Sequence, residues 1–242
     1  MSAPHEKIIV ALDVETLEKA RELVSCLTGA VGAFKIGKQL FTRCGPEAVA
    51  MVHAAGGRVF LDLKYHDIPT TVALAGCEAA RMGVFMFNVH ALGGSAMIAQ
   101  TVKAVRNLAE KAETPAPLIL AVTVLTSMAQ SDLAELGLHD RVEQVVVRLA
   151  RLARNAGADG VVASPREIRL IKEACGPDFA VVTPGIRPAA AAQDDQKRSM
   201  TPAEALAAGA DFLVIGRPVT HAPDPRAAAT AIASELEACQ RC

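Results

Sequence analysis

The stretch MFNVHALGGSAMIAQTVKAVRNLAEKAETPAPLILAVTVL, residues 86–125, contains a complete strand–helix–strand pattern. Residues 86–90 and 118–125 are short apolar runs without strict polar alternation, which is typical of strands that are buried on both faces. Residues 95–111, between them, have the apolar spacing of an amphipathic helix. Two buried strands joined by a helix predict a βαβ unit, in which the strands run parallel.

The same pattern continues in both directions along the chain. Further helices are predicted at residues 16–27, 46–55, 141–155 and 165–174. Strands are predicted at residues 8–13, 33–37, 59–64, 86–90, 118–125, 160–164, 180–185 and 212–216. Eight such units are typical of a closed (β/α)₈ barrel, which commonly needs about 250 residues. Because no linker-like stretch interrupts the pattern, we expect residues 1–242 to form a single barrel domain.

Composition argues against several classes of protein. The formal net charge is −1, Trp is absent and there is one Tyr, so we expect no nucleic-acid partner. The apolar runs are too short to span a bilayer, and residues 1–7 lack the apolar region of a signal peptide, so a cytoplasmic protein without membrane contact is expected. Cys239 and Cys242 form a CxxC pair without a second pair of ligands, so no metal site is expected.

Polar residues cluster at the carboxyl ends of the predicted strands, and no comparable set is found at the amino ends. The set comprises Asp13, Lys35, Asp62, Lys64, His90, Thr123, Thr126, Ser164, Arg187 and Arg217. In a barrel these ends converge on one rim, where the active sites of this fold are built. Two long segments, 126–140 and 186–200, follow strands five and seven, and we expect them to act as lids.

Asp62 and Lys64 are the most informative pair in this set. They are two residues apart on a predicted strand, so both side chains should point to the barrel mouth. Buried charges need partners, and Lys35 on the preceding strand could complete a Lys–Asp–Lys array. A lysine beside carboxylates favours the ammonium form, which suits a general acid and suits a Schiff-base nucleophile poorly. His66 and His90 nearby are expected to have structural roles.

A second group of residues indicates phosphate binding. Gly216-Arg217 lies at the end of the eighth predicted strand, and Gly185-Ile186-Arg187 lies at the end of the seventh. Barrels of this class frequently bind phosphate beside these two strands. A glycine lets the backbone approach a ligand closely, and an arginine offers a bidentate clamp.

These residues lie in an ordered series of segments that resembles the bacterial branch of orotidine 5′-phosphate decarboxylase from the first strand to the last helix. The segments are ALD (11–13), FKIGKQLFT (34–42), FLDLKYHDIPTT (60–71), NVHALGG (88–94), AVTVLTSM (121–128), VTPGIRP (182–188) and VIGRPVT (214–220). The DLKxxDIPxT pattern within the third is highly specific. Departures at Tyr65, Thr70 and residues 189–192 fall between the functional positions.

The resemblance implies a catalytic machinery that converts orotidine 5′-monophosphate to UMP and CO₂ without a cofactor. It implies that Lys64 donates a proton to C6 of the pyrimidine and that Asp62 lies near the substrate carboxylate. It also implies that Asp13 binds a ribose hydroxyl and that Lys35 is its partner in the charged array.

The resemblance further implies a homodimer with shared active sites. In this family, residues at the positions of Asp67 and Thr71 reach across the interface into the site of the neighbouring subunit. Thr126 resembles the residue that contacts the pyrimidine. Gln196, Gly216 and Arg217 resemble the phosphate cradle, with Arg187 close to it.

Three rival functions remain open on the sequence alone. A sugar-phosphate decarboxylase or epimerase on a related barrel shares a D-x-K-x-x-D pattern but binds a divalent metal through added carboxylates, and no suitable extra Glu follows the strands here. A Schiff-base aldolase would be trapped by borohydride at Lys64. A non-catalytic protein that binds nucleotide phosphates would bind UMP without turnover, which the set Asp62, Lys64 and Asp67 disfavours.

Overall fold

The computed structural model describes residues 3–188 and 200–240, and its eight parallel strands form a closed barrel. Each strand pairs with the next along the chain, and β8 pairs with β1. The strands are β1 (Ile8–Ala11), β2 (Ala33–Gly37), β3 (Val59–Tyr65), β4 (Met86–His90), β5 (Leu118–Val122), β6 (Gly160–Val162), β7 (Ala180–Thr183) and β8 (Phe212–Ile215). This order and closure confirm the predicted (β/α)₈ barrel.

One or more helices follow each strand along the chain, and the helices cover the outside of the barrel. They are α1 (Leu17–Leu27), α2 (Lys38–Cys44), α3 (Glu47–Ala54), α4 (Pro69–Arg81), α5 (Gly94–Lys111), α6 (Gln130–Glu135), α7 (Val142–Asn155), α8 (Ile168–Cys175), α9 (Pro202–Ala207), α10 (Arg217–Thr220) and α11 (Pro225–Gln240). Short 3₁₀ helices span Pro4–Lys7, Ala91–Gly93 and Pro165–Glu167. Across residues 3–188 and 200–240, no helix has the length and apolar character needed to cross a bilayer.

The strands are apolar along most of their length because both of their faces are buried. One face of each strand packs under the helices, and the other fills the barrel interior. The interior cluster is formed by Ile9, Ala11, Ala33, Phe60, Met86, Leu120, Val122, Val162, Val182 and Val214. Burial of one such side chain contributes about 1.5–3 kcal/mol, so this plug gives the rim above it a rigid floor.

Several strands end earlier than the sequence predicts. β1 ends at Ala11 instead of residue 13, and β5 ends at Val122 instead of residue 125. β6, β7 and β8 also end one or two residues early. Residues such as Asp13, Leu125 and Gly216 lie just beyond the last ladder and line the cavity above the barrel. The apolar pattern therefore locates the strands, while the residues after them belong to the rim.

The amino-terminal end of the barrel carries charged residues as well, contrary to the expectation from sequence. Asp159 donates its backbone N–H to the carbonyl of Ile119 at 2.9 Å, and its Oδ2 accepts the N–H of the same residue at 2.8 Å. Asp211 makes the same two bonds with Val181: its N–H donates to the carbonyl at 3.0 Å, and its Oδ2 accepts the N–H at 2.7 Å. It also forms an ion pair with Lys172 at 2.7 Å. These carboxylates join neighbouring strands and are committed to structure.

Candidate active site

A cavity of about 510 Å³ opens at the carboxyl ends of the strands. Its floor includes Phe60, Val122 and Val162 from the barrel interior. Its volume lies in the usual range for a pocket that holds a small ligand. The predicted rim is therefore a concave site with an apolar base and charged walls.

Four charged residues alternate in sign along one wall of this cavity. Lys35 Nζ lies 3.0 Å from Asp13 Oδ1 and 3.4 Å from Asp62 Oδ2, and Lys64 Nζ lies 2.7 Å from Asp62 Oδ1. Lys35 and Asp62 are buried, with 8% and 9% of their surfaces exposed. Because each buried charge has an opposite neighbour, mutual attraction offsets part of the cost of removing it from water. We call this group, Asp13, Lys35, Asp62 and Lys64, the charged array.

Asp62 and Lys64 both line the cavity, as the two-residue spacing predicts, but the backbone that presents Lys64 is not the regular strand that this spacing assumes. On β3 and β4, Leu61 pairs with Phe87 and Tyr65 pairs with Val89, so β3 advances four residues while β4 advances two. Lys64 itself has φ of +52°, a left-handed conformation that is uncommon for a residue with a side chain. The ammonium reaches Asp62 from this bulge rather than from the pleat of a strand.

Asn88 of β4 lies opposite the bulge and was not predicted as a site residue. Its Nδ2 donates to Asp62 Oδ1 at 2.6 Å, and its Oδ1 accepts the backbone N–H of Lys64 at 2.7 Å. The side chain is fully buried. A signal did exist in the sequence, because an amide within the apolar run Phe87-Asn88-Val89 must find hydrogen-bond partners in the interior.

Two glycines near the site, Gly37 and Gly216, lack a side chain for different reasons. A Cβ on Gly37 would lie 3.0 Å from Lys35 Nζ and 3.2 Å from Asp13 Oδ1, so a side chain there would press on the charged array. A Cβ on Gly216 would meet only Ala11 Cβ within 4 Å, at 3.8 Å, so packing does not require a glycine. Because Gly216 lines the cavity, a side chain at this position would reduce the space available to a ligand.

The residues predicted to contact pyrimidine and phosphate line the same cavity wherever the structure describes them. Thr126, Arg187, Gly216 and Arg217 are all part of its wall. Gln196 lies outside the described residues.

The two predicted lid segments differ in what the structure shows of them. In segment 186–200, the N–H of Arg187 donates to the carbonyl of Met200 at 3.0 Å, which joins the two ends. Segment 126–140 is partly ordered by α6, whose Leu133 is buried. A lid function for either segment stays a prediction.

Asp67 and Thr71 lie apart from the charged array, outside the cavity wall. Both are exposed, and Asp67 Oδ1 accepts the N–H of the following Ile68 at 2.6 Å as the chain turns into α4. Thr123 and Ser164, which the sequence also assigns to the rim, are buried and do not line the cavity. Thr123 Oγ1 donates to the carbonyl of Val162 at 3.2 Å, so its role is structural.

His66 and His90 form a stacked pair beside the charged array. Their ring centroids are 5.5 Å apart and the rings are inclined by 19°. Burial, followed by repulsion from His66, Lys64 and Lys38, lowers the pKa of His90 to about 4. His90 Nδ1 accepts the N–H of Leu92 at 3.4 Å, which is a weak bond. At neutral pH the ring of His90 is therefore uncharged and adds no positive charge next to Lys64.

Comparisons with known proteins agree on one group of enzymes. The family profile described as Orotidine 5′-phosphate decarboxylase / HUMPS family matches residues 6–232. A protein of Syntrophotalea carbinolica named orotidine 5′-phosphate decarboxylase is 58% identical over 233 residues, which are 96% of this chain and 96% of that protein.

Two solved structures are similar to this chain over nearly its whole length. The crystal structure of orotidine 5′-phosphate decarboxylase from Lactobacillus acidophilus superposes with a TM-score of 0.82 at 38% identity, covering 95% of this chain and 98% of the other. The crystal structure of an uncharacterized conserved protein from Geobacillus kaustophilus gives a TM-score of 0.84 at 35% identity, covering 95% of this chain and 99% of that one.

Proposed function

The chain belongs to the Orotidine 5′-phosphate decarboxylase / HUMPS family, and we infer that it is a carboxy-lyase that converts orotidine 5′-monophosphate to UMP and CO₂ in pyrimidine biosynthesis. The observation that carries the inference is the charged array at the mouth of the barrel. Gly216 and Arg217, which can donate hydrogen bonds to a phosphate, lie elsewhere on the wall of the same cavity. The site thus offers cationic groups both for a reacting carboxylate and for a phosphate.

Lys64 is the proton donor in this mechanism. When the bond between C6 and the carboxylate carbon breaks, CO₂ leaves and the electron pair stays on C6, where the ring cannot delocalise it. The ammonium of Lys64 stabilises the developing charge and then transfers a proton to C6, which yields UMP and a neutral amine. Reactions this slow in water need a barrier reduced by about 20 kcal/mol or more, so one proton donor is only part of the catalysis.

The other residues of the array bind and orient. Asp62 lies near the substrate carboxylate and holds Lys64 by the contact of 2.7 Å. Asp13, whose side chain is largely exposed to the cavity, binds a ribose hydroxyl with Lys35 as its partner. Thr126 contacts the pyrimidine.

The phosphate provides binding energy far from the reacting carbon. Arg217 and the backbone at Gly216 bind the phosphate, and Arg187 lies nearby. Gln196 belongs to the same phosphate site in this proposal. Energy from this remote contact is used to fix the geometry at C6. Closure of residues 186–200 over the phosphate belongs to the same proposal.

We propose a homodimer in which each site borrows Asp67 and Thr71 from the partner. Support comes from the surface around them, where Ile68 is 65% exposed and Leu74 is 64% exposed. Leu92, on the 3₁₀ helix after β4, is 44% exposed. Exposed large apolar side chains of this kind favour burial against another copy of the chain, and a twofold axis would bring the same surface of each chain together.

Arg217→Ala is expected to lower kcat/KM for orotidine 5′-monophosphate by roughly 10³-fold or more, equivalent to several kcal/mol of transition-state stabilisation. A charge-assisted clamp is lost, and with it the coupling of phosphate binding to the reaction. Steady-state kinetics with and without added guanidinium will test this, because free guanidinium should restore part of the activity. Unchanged kinetics in Arg217→Ala would contradict the phosphate role.

The function itself is tested by following the loss of absorbance of orotidine 5′-monophosphate with purified protein. We expect turnover that added EDTA does not reduce, because the proton donor and the charges belong to side chains. Activity that EDTA abolishes and a divalent cation restores would favour the metal-dependent sugar-phosphate rival. Binding of UMP without turnover would favour the non-catalytic alternative, and borohydride inactivation at Lys64 with substrate would favour an aldolase.

A further inference from the structure

Asn88 is a buried amide whose two polar ends both serve the charged array. It lies on the inner face of β4 with Met86, and none of its surface is exposed. A buried amide is costly unless it is hydrogen-bonded, and here the partners are Asp62 Oδ1 at 2.6 Å and the N–H of Lys64 at 2.7 Å. The side chain of Asn88 therefore binds both the carboxylate of Asp62 and the backbone of Lys64.

The bulge in β3 explains why the backbone of Lys64 needs a side-chain partner. Between the paired positions Leu61 and Tyr65, three residues of β3 face the single residue Asn88 of β4. In such a bulge the regular ladder is interrupted and the strand bends. At Lys64, the acceptor that β4 supplies is the side-chain oxygen of Asn88. That bond holds Lys64 in its left-handed conformation, at φ of +52°.

We propose that Asn88 is a positioning residue for decarboxylation, which sets the distance and direction of Lys64 Nζ relative to the substrate. The proposal rests on the function inferred above. Asn88 does not line the cavity, so it acts through Asp62 and Lys64 rather than on the substrate. An amide fits because it offers a donor to the carboxylate and an acceptor to the N–H at the same time.

Two substitutions of similar size separate these bonds. Asn88→Leu removes both, whereas Asn88→Asp keeps the acceptor and places a second carboxylate against Asp62. For each we expect kcat at pH 8 to fall about 100-fold, as for a misplacement of about 1 Å, while KM and the Kd of UMP change less than about threefold. The split arises because the phosphate and ribose contacts do not pass through Asn88.

The pH profile gives a readout that a purely structural role would not produce. Two adjacent carboxylates favour uptake of a shared proton, and the introduced carboxyl group, once protonated, would offer a donor and an acceptor like the amide it replaces. The kcat of Asn88→Asp, divided by that of the wild type at the same pH, should therefore rise several-fold from about pH 8 to about pH 6. The same ratio for Asn88→Leu should stay flat.

The other groups around the pair do not confuse this measurement. Lys35 and Lys64 contact Asp62, and Asp13 contacts Lys35. These groups and His66, which stacks on His90, are present in wild type and variant alike, so division by the wild-type rate removes their common contribution. His90, with a pKa of about 4, remains neutral across the range. Burial raises the pKa of Tyr65, which also stays neutral.

Thr101→Val is the matched control for the loss of a buried hydrogen bond. Thr101 is fully buried in α5, away from the cavity, and its Oγ1 donates to the carbonyl of Met97 at 2.8 Å. Its thermal unfolding is compared directly with that of the Asn88 variants, and its kcat should equal that of the wild type.

Normal kcat in both Asn88 variants, or equal changes of kcat and KM with a flat pH ratio, would overturn the role of Asn88. An inactive wild type would instead contradict the proposed function and with it this inference.

Discussion

Lys64→Ala is expected to lower kcat by about 10⁴-fold or more, because it removes both a general acid and the positive charge nearest to the forming carbanion. Binding of UMP should stay within a few-fold of the wild-type value, since the phosphate contacts lie elsewhere in the cavity. Asp62 would keep Lys35 and Asn88 as partners, so the fold should tolerate the change. Single-turnover kinetics and calorimetric titration with UMP measure the two quantities separately.

Two further variants sharpen this result. Lys64→Arg keeps a positive charge but cannot release a proton at neutral pH, so its loss of kcat should approach that of Lys64→Ala. Lys19→Ala, which removes an exposed lysine paired with Glu15, should have wild-type kinetics. Near-normal turnover in Lys64→Ala would disprove the assignment of the proton donor. High activity in Lys64→Arg would show that charge, rather than proton transfer, is the contribution of this side chain.

Mixing Lys64→Ala with Asp67→Ala is expected to restore about a quarter of the wild-type activity, although each variant alone is nearly inactive. If Asp67 serves the partner's site, a mixed dimer combines both lesions in one site and leaves the other intact. Random exchange of equal amounts makes about half of the dimers mixed, each with one working site of two. The activity of the mixture is measured over time as subunits exchange.

Exchange must be demonstrated independently, for example by mass spectrometry of isotopically labelled and unlabelled subunits. A mixture of Lys64→Ala with Asp62→Ala is the matched negative control. Both of those residues belong to one wall of one barrel, so no mixed dimer has an intact site. Absence of recovery with Asp67→Ala despite proven exchange would mean that Asp67 serves its own chain and that the active unit is the monomer.

The sequence predicts the barrel well because its signal is repeated. All eight predicted strands are present in the structure, since an apolar run buried on both faces is recognisable without knowledge of its neighbours. The rim is predicted less well. Thr123 and Ser164 follow strands as Thr126 and Arg187 do, yet only the latter two line the cavity. The position of a residue after a strand predicts that it lies at the carboxyl-end rim of the barrel. The direction of its side chain depends on the local backbone conformation, which the pattern does not give.

The bulge in β3 and the role of Asn88 could not be derived from the pattern. A two-residue period assumes an unbroken pleat, and the extra residues opposite Asn88 appear only when β3 is paired with β4. The left-handed Lys64 is likewise invisible, because the residues that usually announce that conformation are glycine and asparagine. A contact between distant parts of the chain determines the local conformation here.

The irregular backbone at Lys64 has a consequence for protein design. A grafted site that copies only the side chains Lys35, Asp62 and Lys64 onto a straight strand of another barrel would give the ammonium a different origin and direction. The transplant must carry the two extra residues of the bulge and an amide opposite them, at the position of Asn88, to reproduce the 2.7 Å contact. The smallest unit that can be transplanted is therefore the pair of adjacent strands β3 and β4 together with the bulge between them.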